Sequence, residues 1–188
     1  MLESLFMRIA LGYCGIVVAV TLCGCGTAGS GPPGSGGAAP TGWKEYELDD
    51  GKFAVKMPGD PIAMPSRDAS ATKAWSVSAG NLSYTIRYTE LPDPGAVSDQ
   101  DKIDALYDDF ANTLPITDGI DIEEVKKQIN FGGVSGREID GTIADKKSIR
   151  VRIGVVGGRF YRAEVTGAVE AVNSPDAEVF LNSLKIAR

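Results

Sequence analysis

The chain of 188 residues contains no histidine, and its three cysteines all lie within the first 25 positions. Beyond that segment it therefore cannot build a Ser-His-Asp triad, a Cys-His pair, or a zinc or haem site of the usual kind. Positive charge is also scarce, because 19 lysines and arginines face 25 aspartates and glutamates and leave a net charge of -6. Nucleic-acid partners require a basic surface. The composition thus predicts a protein with no metal, no cofactor and no nucleic-acid partner.

An apolar run lies near the amino terminus, at residues 9–22. It has about the length of the hydrophobic part of a secretory signal peptide and is too short to span a bilayer unaided. Glu3 offsets the charge of Arg8 in front of the run, whereas a start at Met7 would leave a compact positive charge directly before it. Met1 and Met7 both stay open as the true start. The alternative to a signal peptide is a single transmembrane anchor.

The apolar run ends in Leu22-Cys23-Gly24-Cys25, which resembles the lipobox of bacterial lipoproteins. Leucine and a small residue stand where that motif has them, whereas Cys23 occupies a position more often held by alanine or serine. The resemblance implies that Cys25 is linked to diacylglycerol, becomes the amino terminus after cleavage of residues 1–24, and is then N-acylated. Several acyl chains on one cysteine would hold the protein on a membrane almost irreversibly.

The same resemblance implies an extracytoplasmic location, on the periplasmic side of a bacterial membrane. Gly26 follows Cys25 in place of the aspartate that retains many lipoproteins in the inner membrane. By analogy with those proteins, this glycine favours the outer membrane. The membrane is therefore expected to be a partner through the lipid anchor.

Residues 26–42 read GTAGSGPPGSGGAAPTG and show no apolar periodicity. Such a segment cannot bury enough surface to offset the entropy of ordering it. It lacks the lysine and the strand-loop-helix context of a phosphate-binding loop. We therefore predict that the acylated cysteine and this segment form a tether over residues 25–42, with a reach of about 20–24 Å. One domain follows over residues 43–188.

In the predicted domain, segments of alternating polarity are separated by turn residues. Alternation with a period of two predicts strands, and apolar residues at helical spacing predict helices. The predicted strands are WKEYEL, KFAVKM, KAWSVSA, LSYTIRYTEL, EEVKKQINF, SGREIDGTIA, SIRVRIGVV and RFYRAEVTG. One helix is expected from a cap at Ser98 to Pro115, and another from a cap at Ser174, with Val179 in the core. Hairpins in series with two helices predict an α+β domain built on an antiparallel sheet.

The sheet is expected to be partly covered on both faces. If the glycine pair at 157–158 forms a two-residue turn, Val155 pairs with Phe160 on one face and Gly154 with Tyr161 on the other. Both faces then carry apolar residues, whereas a sheet with one wet face alternates cleanly. A helix on each face would supply the two covers.

Four segments, WKEYELDDGKFAVKMPGDP, GGVSGREI, RIGVVGGRFYRAEV and FLNSLKI, resemble small secreted bacterial proteins of the PsbP-like fold. The resemblance spans nearly all of residues 43–188. It implies an α/β/α sandwich, in which helices flank an antiparallel sheet. Members commonly act as binding or assembly-assisting modules, and no catalytic residues carry over to this chain. The resemblance therefore implies a non-enzymatic module of the cell envelope, whose partner is an envelope protein or polymer.

The aspartates of the first predicted helix form one candidate site. Asp101, Asp104 and Asp108 fall at helical spacing and lie opposite much of the apolar stripe, which is typical of a solvated face. Calcium binding and carboxylate catalysis are the alternatives. The alternative function that corresponds to the second is an envelope hydrolase that uses paired carboxylates.

Three arginines form the other candidate site. Arg150 and Arg152 share one face of their strand, and Arg137 is expected nearby on the preceding strand. Their planar guanidinium groups are suited to binding a carboxylate-bearing partner. The alternative is that these arginines serve the structure alone, paired with carboxylates of the same sheet. The candidates for that pairing are Glu138, Asp140 and Glu164.

Overall fold

A computed structural model describes residues 42–49, 52–65, 72–92, 97 and 99–187. The predicted signal peptide, Cys25 and the tether as far as residue 41 lie outside the described residues. Within the described ranges the strands are β1 (Lys44–Leu48), β2 (Phe53–Met57), β3 (Ile62–Met64), β4 (Thr72–Ala79), β5 (Leu82–Glu90), β6 (Asp121–Phe131), β7 (Val134–Ile143), β8 (Lys147–Val156), β9 (Arg159–Gly167) and β10 (Lys185–Ile186). The α-helices there are α1 (Gln100–Thr117), α2 (Val169–Val172) and α3 (Pro175–Leu181). No helix in these ranges is long and apolar enough to cross a membrane.

Seven strands form one antiparallel sheet in the order β3-β4-β5-β9-β8-β7-β6. Alternation decides which side chains share a face: Tyr84 and Ile86 of β5 lie opposite Val165 and Ala163 of β9 and point to the same side. At the turn between β8 and β9, both glycines have a positive φ, 57° and 76°, which other residues rarely adopt. The register predicted for β8 and β9 is confirmed.

A three-stranded sheet, ordered β1-β2-β10, packs on one face of the large sheet together with α2 and α3. Phe53 of β2 makes edge-on ring contacts with Tyr88 and Tyr161 of the large sheet, at centroid distances of 6.2 and 5.7 Å. Asp49 joins the turn after β1 to the large sheet, because it accepts hydrogen bonds from the Tyr88 hydroxyl at 2.7 Å and from Lys73. This face therefore holds an aromatic core, with the hydrogen bonds of Asp49 at its edge.

Helix α1 covers part of the other face, above β6 to β9. Its buried residues recur at helical spacing and are Tyr107, Ala111 and Leu114. They pack with isoleucines and valines of the sheet in a second core. The Tyr107 hydroxyl donates to the Ser135 carbonyl and accepts from the Val155 amide, both at 3.0 Å, which fixes the helix on the sheet.

The α+β class and the antiparallel sheet are confirmed, whereas the predicted helix on each face is only partly matched. Helix α3 has seven residues and is too short to cover a seven-stranded sheet, so the hairpin of β1 and β2 lies over the same face. After α3 the chain forms β10 and pairs with β2. Val179, predicted to be in the core, is 39% exposed, so that prediction is wrong.

Candidate functional site

The three arginines predicted to bind a partner divide between the two faces of the large sheet. Arg150 and Arg152 lie in β8 on the face that carries α3. Arg137 lies in β7 with its side chain on the face that carries α1, where it contacts Asp108 and lies 5.4 Å from the ring centre of Tyr107. Arg137 lies on the preceding strand, as expected, but it pairs with Ile153, and its side chain points away from Arg150 and Arg152 because neighbouring positions in a strand alternate between faces.

Between α3 and the large sheet, six charged side chains form a continuous network that we call the sealed cluster. Its members are Lys126, Glu138, Asp140, Arg150, Arg152 and Glu178. Arg152 donates from Nε to Glu138 at 2.6 Å and from Nη2 to Glu178 at 3.0 Å. Its third nitrogen, Nη1, donates to Asn182 at 2.8 Å. All three guanidinium nitrogens of Arg152 therefore have partners on the sheet or on the α3 segment.

Hydrogen bonding in the sealed cluster is complete. Each of the six carboxylate oxygens accepts at least one hydrogen bond from a lysine or an arginine. Burial alone would raise the pKa of Glu138, but hydrogen bonds from Lys126 and Arg152 hold that pKa below its ordinary value. The pKa of Asp140 is lowered against the same effect of burial by Arg150 and Lys126. The sealed cluster thus joins α3 to the sheet, and its arginines are paired with two of the three carboxylates considered for that role.

The aspartates of α1 are placed around Arg137. Asp104 and Asp108 both contact its guanidinium group, and Asp101 is exposed in the first turn. In the part of the chain that the structure describes, no group of three or more histidine, cysteine, aspartate or glutamate side chains is placed to hold a metal ion. The arrangement of these aspartates is that of a partly solvated helix face with one buried cation.

The face that carries α1 is covered only in part by the described elements. No apolar residue on the α1 side of β3, β4 or β5 belongs to either core. Along β5 the residues on the α3 side are buried, whereas those on the α1 side are half-buried. We call this surface the open half-face. It comprises Ile62, Met64, Thr72, Ala74, Ser76, Ser78, Ser83, Thr85, Arg87 and Thr89.

The open half-face is polar at its centre and apolar at its edge. The hydroxyl oxygens of Ser76 and Thr85 lie 3.1 Å apart across β4 and β5, and a second hydroxyl pair follows at Thr72. On the edge strand β3, Ile62 is 74% and Met64 40% exposed. Exposed apolar side chains beside hydrogen-bonding groups are typical of interaction surfaces.

A cleft of about 350 Å³ lies where the open half-face meets the end of α1. Four charged side chains line it, which we call the cleft cluster: Arg87, Asp118, Arg162 and Glu164. Glu164 lies 2.5 Å from Arg87 and accepts a hydrogen bond of 2.9 Å from Arg162. Arg162 in turn lies 2.7 Å from Asp118. Cations and anions therefore alternate along the cleft, and Glu164 lies on the face opposite Arg150 and Arg152.

Hydrogen bonding in the cleft cluster is incomplete. Arg162 Nε, Asp118 Oδ2 and Glu164 Oε1 are buried, and none of the three has a hydrogen-bond partner among the described residues. The two carboxylate oxygens contact guanidinium nitrogens, but without the alignment that a hydrogen bond requires. A buried polar atom left without a partner destabilises a protein by about 1–3 kcal/mol. The three atoms therefore mark the cleft cluster as the less completely hydrogen-bonded of the two ionic clusters.

Helix α1 positions the cleft cluster. The guanidinium carbon of Arg162 lies 5.1 Å from the ring centre of Phe110. Asp118 is the C-cap of α1, and the last turn of the helix contains no basic residue. A carboxylate at this end is opposed by the helix dipole, so the contact with Arg162 compensates an unfavourable local arrangement. A residue whose charge is unfavourable for its place in a helix, as Asp118 is, often has a functional role.

Sequence reasoning did not identify the cleft. Arg162 and Glu164 are two apart in β9, and the residues that alternate with them, from Tyr161 to Val165, are apolar and buried. Two charges on one side of a central strand have to be paired if they are buried. That pattern was the available signal, but it does not indicate which helix supplies Asp118.

Comparison with known structures shows the fold. The chain is similar to cyanobacterial PsbP (CyanoP) from Synechocystis sp. PCC 6803, with 13% identity over 84% of this chain and 98% of that chain and a TM-score of 0.57. The chain therefore has a PsbP-like fold. A protein from Bacteroides thetaiotaomicron VPI-5482 has 12% identity over 77% of this chain and 48% of that chain, with a TM-score of 0.46. No family model matches the chain, and no curated protein matches it in sequence.

Proposed function

We propose that this protein is a lipid-anchored, extracytoplasmic module of the cell envelope that binds a partner without catalysing a reaction. The open half-face is its proposed binding surface. The observation that carries the proposal is the unequal covering of the large sheet, because no apolar residue on the α1 side of β3, β4 or β5 belongs to either described core. The partner is an envelope protein or polymer. A PsbP-like fold is compatible with this role, although fold alone does not determine function.

The chemistry of the open half-face supports binding more than catalysis. It offers hydroxyl groups and exposed apolar side chains. The chain has no histidine to act as a base and no cysteine beyond residue 25 to act as a nucleophile. Both carboxylates of the cleft contact arginines, which suits recognition through hydrogen bonds and ion pairs.

Site-specific photo-crosslinking in living cells tests the binding surface. A photoreactive amino acid is introduced at Ser76 or Met64 of the open half-face, and as a control at Ala105 of α1 or Glu123 of β6, which are exposed elsewhere. We expect adducts of discrete mass from the first two positions and none from the controls. Adducts from the control positions alone, or equal yields from all four positions, would contradict the proposal. Absence of adducts from both test positions would contradict it as well.

The lipid anchor has its own test. Cys25→Ser is expected to abolish incorporation of labelled palmitate and to leave an unprocessed precursor, whereas Cys23→Ser is expected to keep both labelling and processing. Incorporation of palmitate into the Cys25→Ser protein would show that the lipid is attached elsewhere. Separation of the membranes by density then tests the outer-membrane location that Gly26 favours.

An envelope hydrolase is the second candidate function. The observation that favours it is that Asp118 and Glu164 line one cleft and both contact Arg162. Glycoside hydrolases use two carboxyl groups that face the scissile bond, about 5–10 Å apart. The two functions separate in Asp118→Asn. Turnover of an envelope polymer that is lost in this variant, while cross-links from Ser76 persist, would favour the hydrolase.

A further inference from the structure

The two edges of the large sheet are built differently. Strand β6 forms one edge, carries charged side chains along most of its length and has register shifts in its pairing with β7. Charges and bulges of this kind prevent a further strand from pairing with an edge. Strand β3 forms the other edge, and its residues are uncharged, exposed and paired in register with β4. Among the described strands, none pairs with the outer side of β3.

Strand β3 also concentrates exposed apolar surface. Ile62 and Met64 are two of the five exposed large apolar side chains in the described ranges. Both lie on the α1 side of the sheet, and Ala63 lies on the other side. Asp60, just before this strand, accepts a hydrogen bond of 2.8 Å from the Tyr46 hydroxyl. A partner for this edge therefore needs an extended backbone with apolar, uncharged side chains at alternate positions.

The sequence of the edge meets that requirement itself. The segment Pro61-Ile62-Ala63-Met64-Pro65 has the same order of residue types in both directions. In an antiparallel pair of two copies centred on Ala63, Ile62 of each copy lies opposite Met64 of the other. The four apolar side chains then share one face, with opposite Cβ atoms about 4.5–5.5 Å apart. Each proline meets a proline, so the pairing ends at the same place in both copies.

We propose that two copies of this protein pair through their β3 edges and form one continuous antiparallel sheet. The inference goes beyond the proposed binding of an envelope partner and assigns the apolar edge of the open half-face to a second copy. Because the opposite edge is protected at β6, the assembly closes as a dimer and does not grow further.

The size of the contact makes the dimer dependent on concentration. Three residues of each strand bury far less than the roughly 1,200–2,000 Å² of a stable interface. A shared membrane would raise the effective concentration of the copies. This step alone rests on the proposed lipid anchor.

Disulfide cross-linking of the full chain in membranes tests the dimer. Ala63→Cys is introduced after Cys14 and Cys23 are replaced by serine, which leaves Cys25 for acylation. Opposite residues of an antiparallel pair have Cα atoms about 4.5–5.5 Å apart, within the roughly 4.4–6.8 Å that a disulfide spans. Under a mild oxidant, we expect about five times more disulfide dimer than from Ala105→Cys, which reports random collisions. Ala105 is an exposed alanine of α1.

A register test separates this pairing from other contacts between copies. Ile62→Cys mixed with Met64→Cys should form disulfides between the two variants. Ile62→Cys alone should not, because diagonal neighbours lie about 7–8 Å apart. Ile62→Lys combined with Ala63→Cys places a charge on the edge and should lower the dimer yield to that of the control.

The outcomes distinguish this inference from the proposed function. The inference is overturned if Ala63→Cys gives no more dimer than Ala105→Cys in both membranes and concentrated micelles, or if Ile62→Cys alone cross-links as well as the mixture. Dimers in concentrated micelles but not in membranes would support the pairing and count against the lipid anchor. Photo-adducts from Met64 with twice the mass of the chain belong to the dimer and are counted separately from those with the envelope partner. Cross-links from Ser76 test that partner independently.

Discussion

The sealed cluster and the cleft cluster lie on opposite faces of one sheet and are built from the same kinds of side chain. In the sealed cluster three cations meet three anions, and each carboxylate oxygen accepts a hydrogen bond. In the cleft cluster two cations meet two anions, and three buried polar atoms have no hydrogen-bond partner among the described residues. Helix α3 closes the first cluster, whereas the second opens into a cleft beside the end of α1.

The first cluster holds α3 on the sheet, whereas the second joins β5 and β9 to the end of α1. Arg150 and Arg152 use their hydrogen bonds to join β7, β8 and α3. Within this network Glu138 and Arg152 are buried, so removal of either leaves a buried charge that has lost a partner. Arg162 is equally buried but keeps an unused donor. Completeness of hydrogen bonding, rather than burial or charge, therefore distinguishes the two clusters.

The largest effect is expected from opening the sealed cluster. Arg152→Ala leaves Glu138, whose side chain is 5% exposed, without one of the three cations that contact it. Removing one partner of a buried ion pair lowers the free energy of unfolding by about 3–5 kcal/mol. Urea unfolding followed by tryptophan fluorescence measures the loss. Lys127→Ala, at a side chain that is 65% exposed, is the control and is expected to change stability by less than about 0.5 kcal/mol. A loss in Arg152→Ala no larger than in the control would refute a structural role for this cluster.

A second effect is expected at acid pH. The pKa values of Asp49, Glu138 and Asp140 are held below their ordinary values by hydrogen bonds from cations that outweigh the opposite effect of burial. Carboxylates with a lowered pKa stabilise the fold above their ordinary pKa values and lose that contribution as the pH falls through the folded-state values.

The free energy of unfolding is therefore expected to be nearly constant between about pH 7 and pH 5 and to fall steadily below that range. Urea unfolding at a series of pH values measures the profile. Glu138→Gln with Asp140→Asn should flatten the part that comes from the sealed cluster and leave the part from Asp49. A wild-type profile that stays level to about pH 3 would rule out these carboxylates as the source.

A smaller effect is expected from the cleft cluster. Asp118→Asn removes the contact with Arg162 but also removes a negative charge from the C-terminal end of α1. Arg162 keeps its hydrogen bond to Glu164. The two effects oppose each other, so thermal unfolding should report a change of less than about 1 kcal/mol. A loss as large as that of Arg152→Ala would mean that the cleft cluster is a second structural network.

Much of the fold can be predicted because local patterns determine it. Alternation in the eight predicted strands and the glycine pair at the turn of β8 and β9 are enough to fix their type and, for that hairpin, their register. The predicted starts of the two helices lie within one residue of the observed ones. Ser174 caps α3 as predicted, and Asp99 rather than Ser98 caps α1. The short strand β10 could not be predicted, because two residues carry no periodicity and depend on the β2 edge beside them.

The candidate site was less predictable because it depends on which elements meet in space. The sequence indicates that Arg150 and Arg152 share a face, but not that Glu178 of α3 lies above them. Arg137 lies on the preceding strand as expected, but the register of that strand places Glu138, not Arg137, opposite Arg152. The open half-face depends on the length and placement of α1, which leave β3 to β5 without a described cover. Such features follow from tertiary packing and have no local signature.

The most direct measurement of the central claim compares stability and partner binding in one variant of the open half-face. Ser76→Arg places a long charged side chain at the centre of this surface, where Ser76 is half-buried and pairs with Thr85, two residues before Arg87 on the same face of β5. Asn112→Arg, on the exposed side of α1, is the matched control. We expect Asn112→Arg to unfold within about 0.5 kcal/mol of the wild type, and Ser76→Arg, which loses the hydrogen bonds of the Ser76 hydroxyl, within about 1.5 kcal/mol. In cells, cross-linking from Met64 should disappear in Ser76→Arg and persist in Asn112→Arg. Undiminished cross-linking from Met64 in a folded Ser76→Arg protein would contradict the claim that the open half-face is the binding surface.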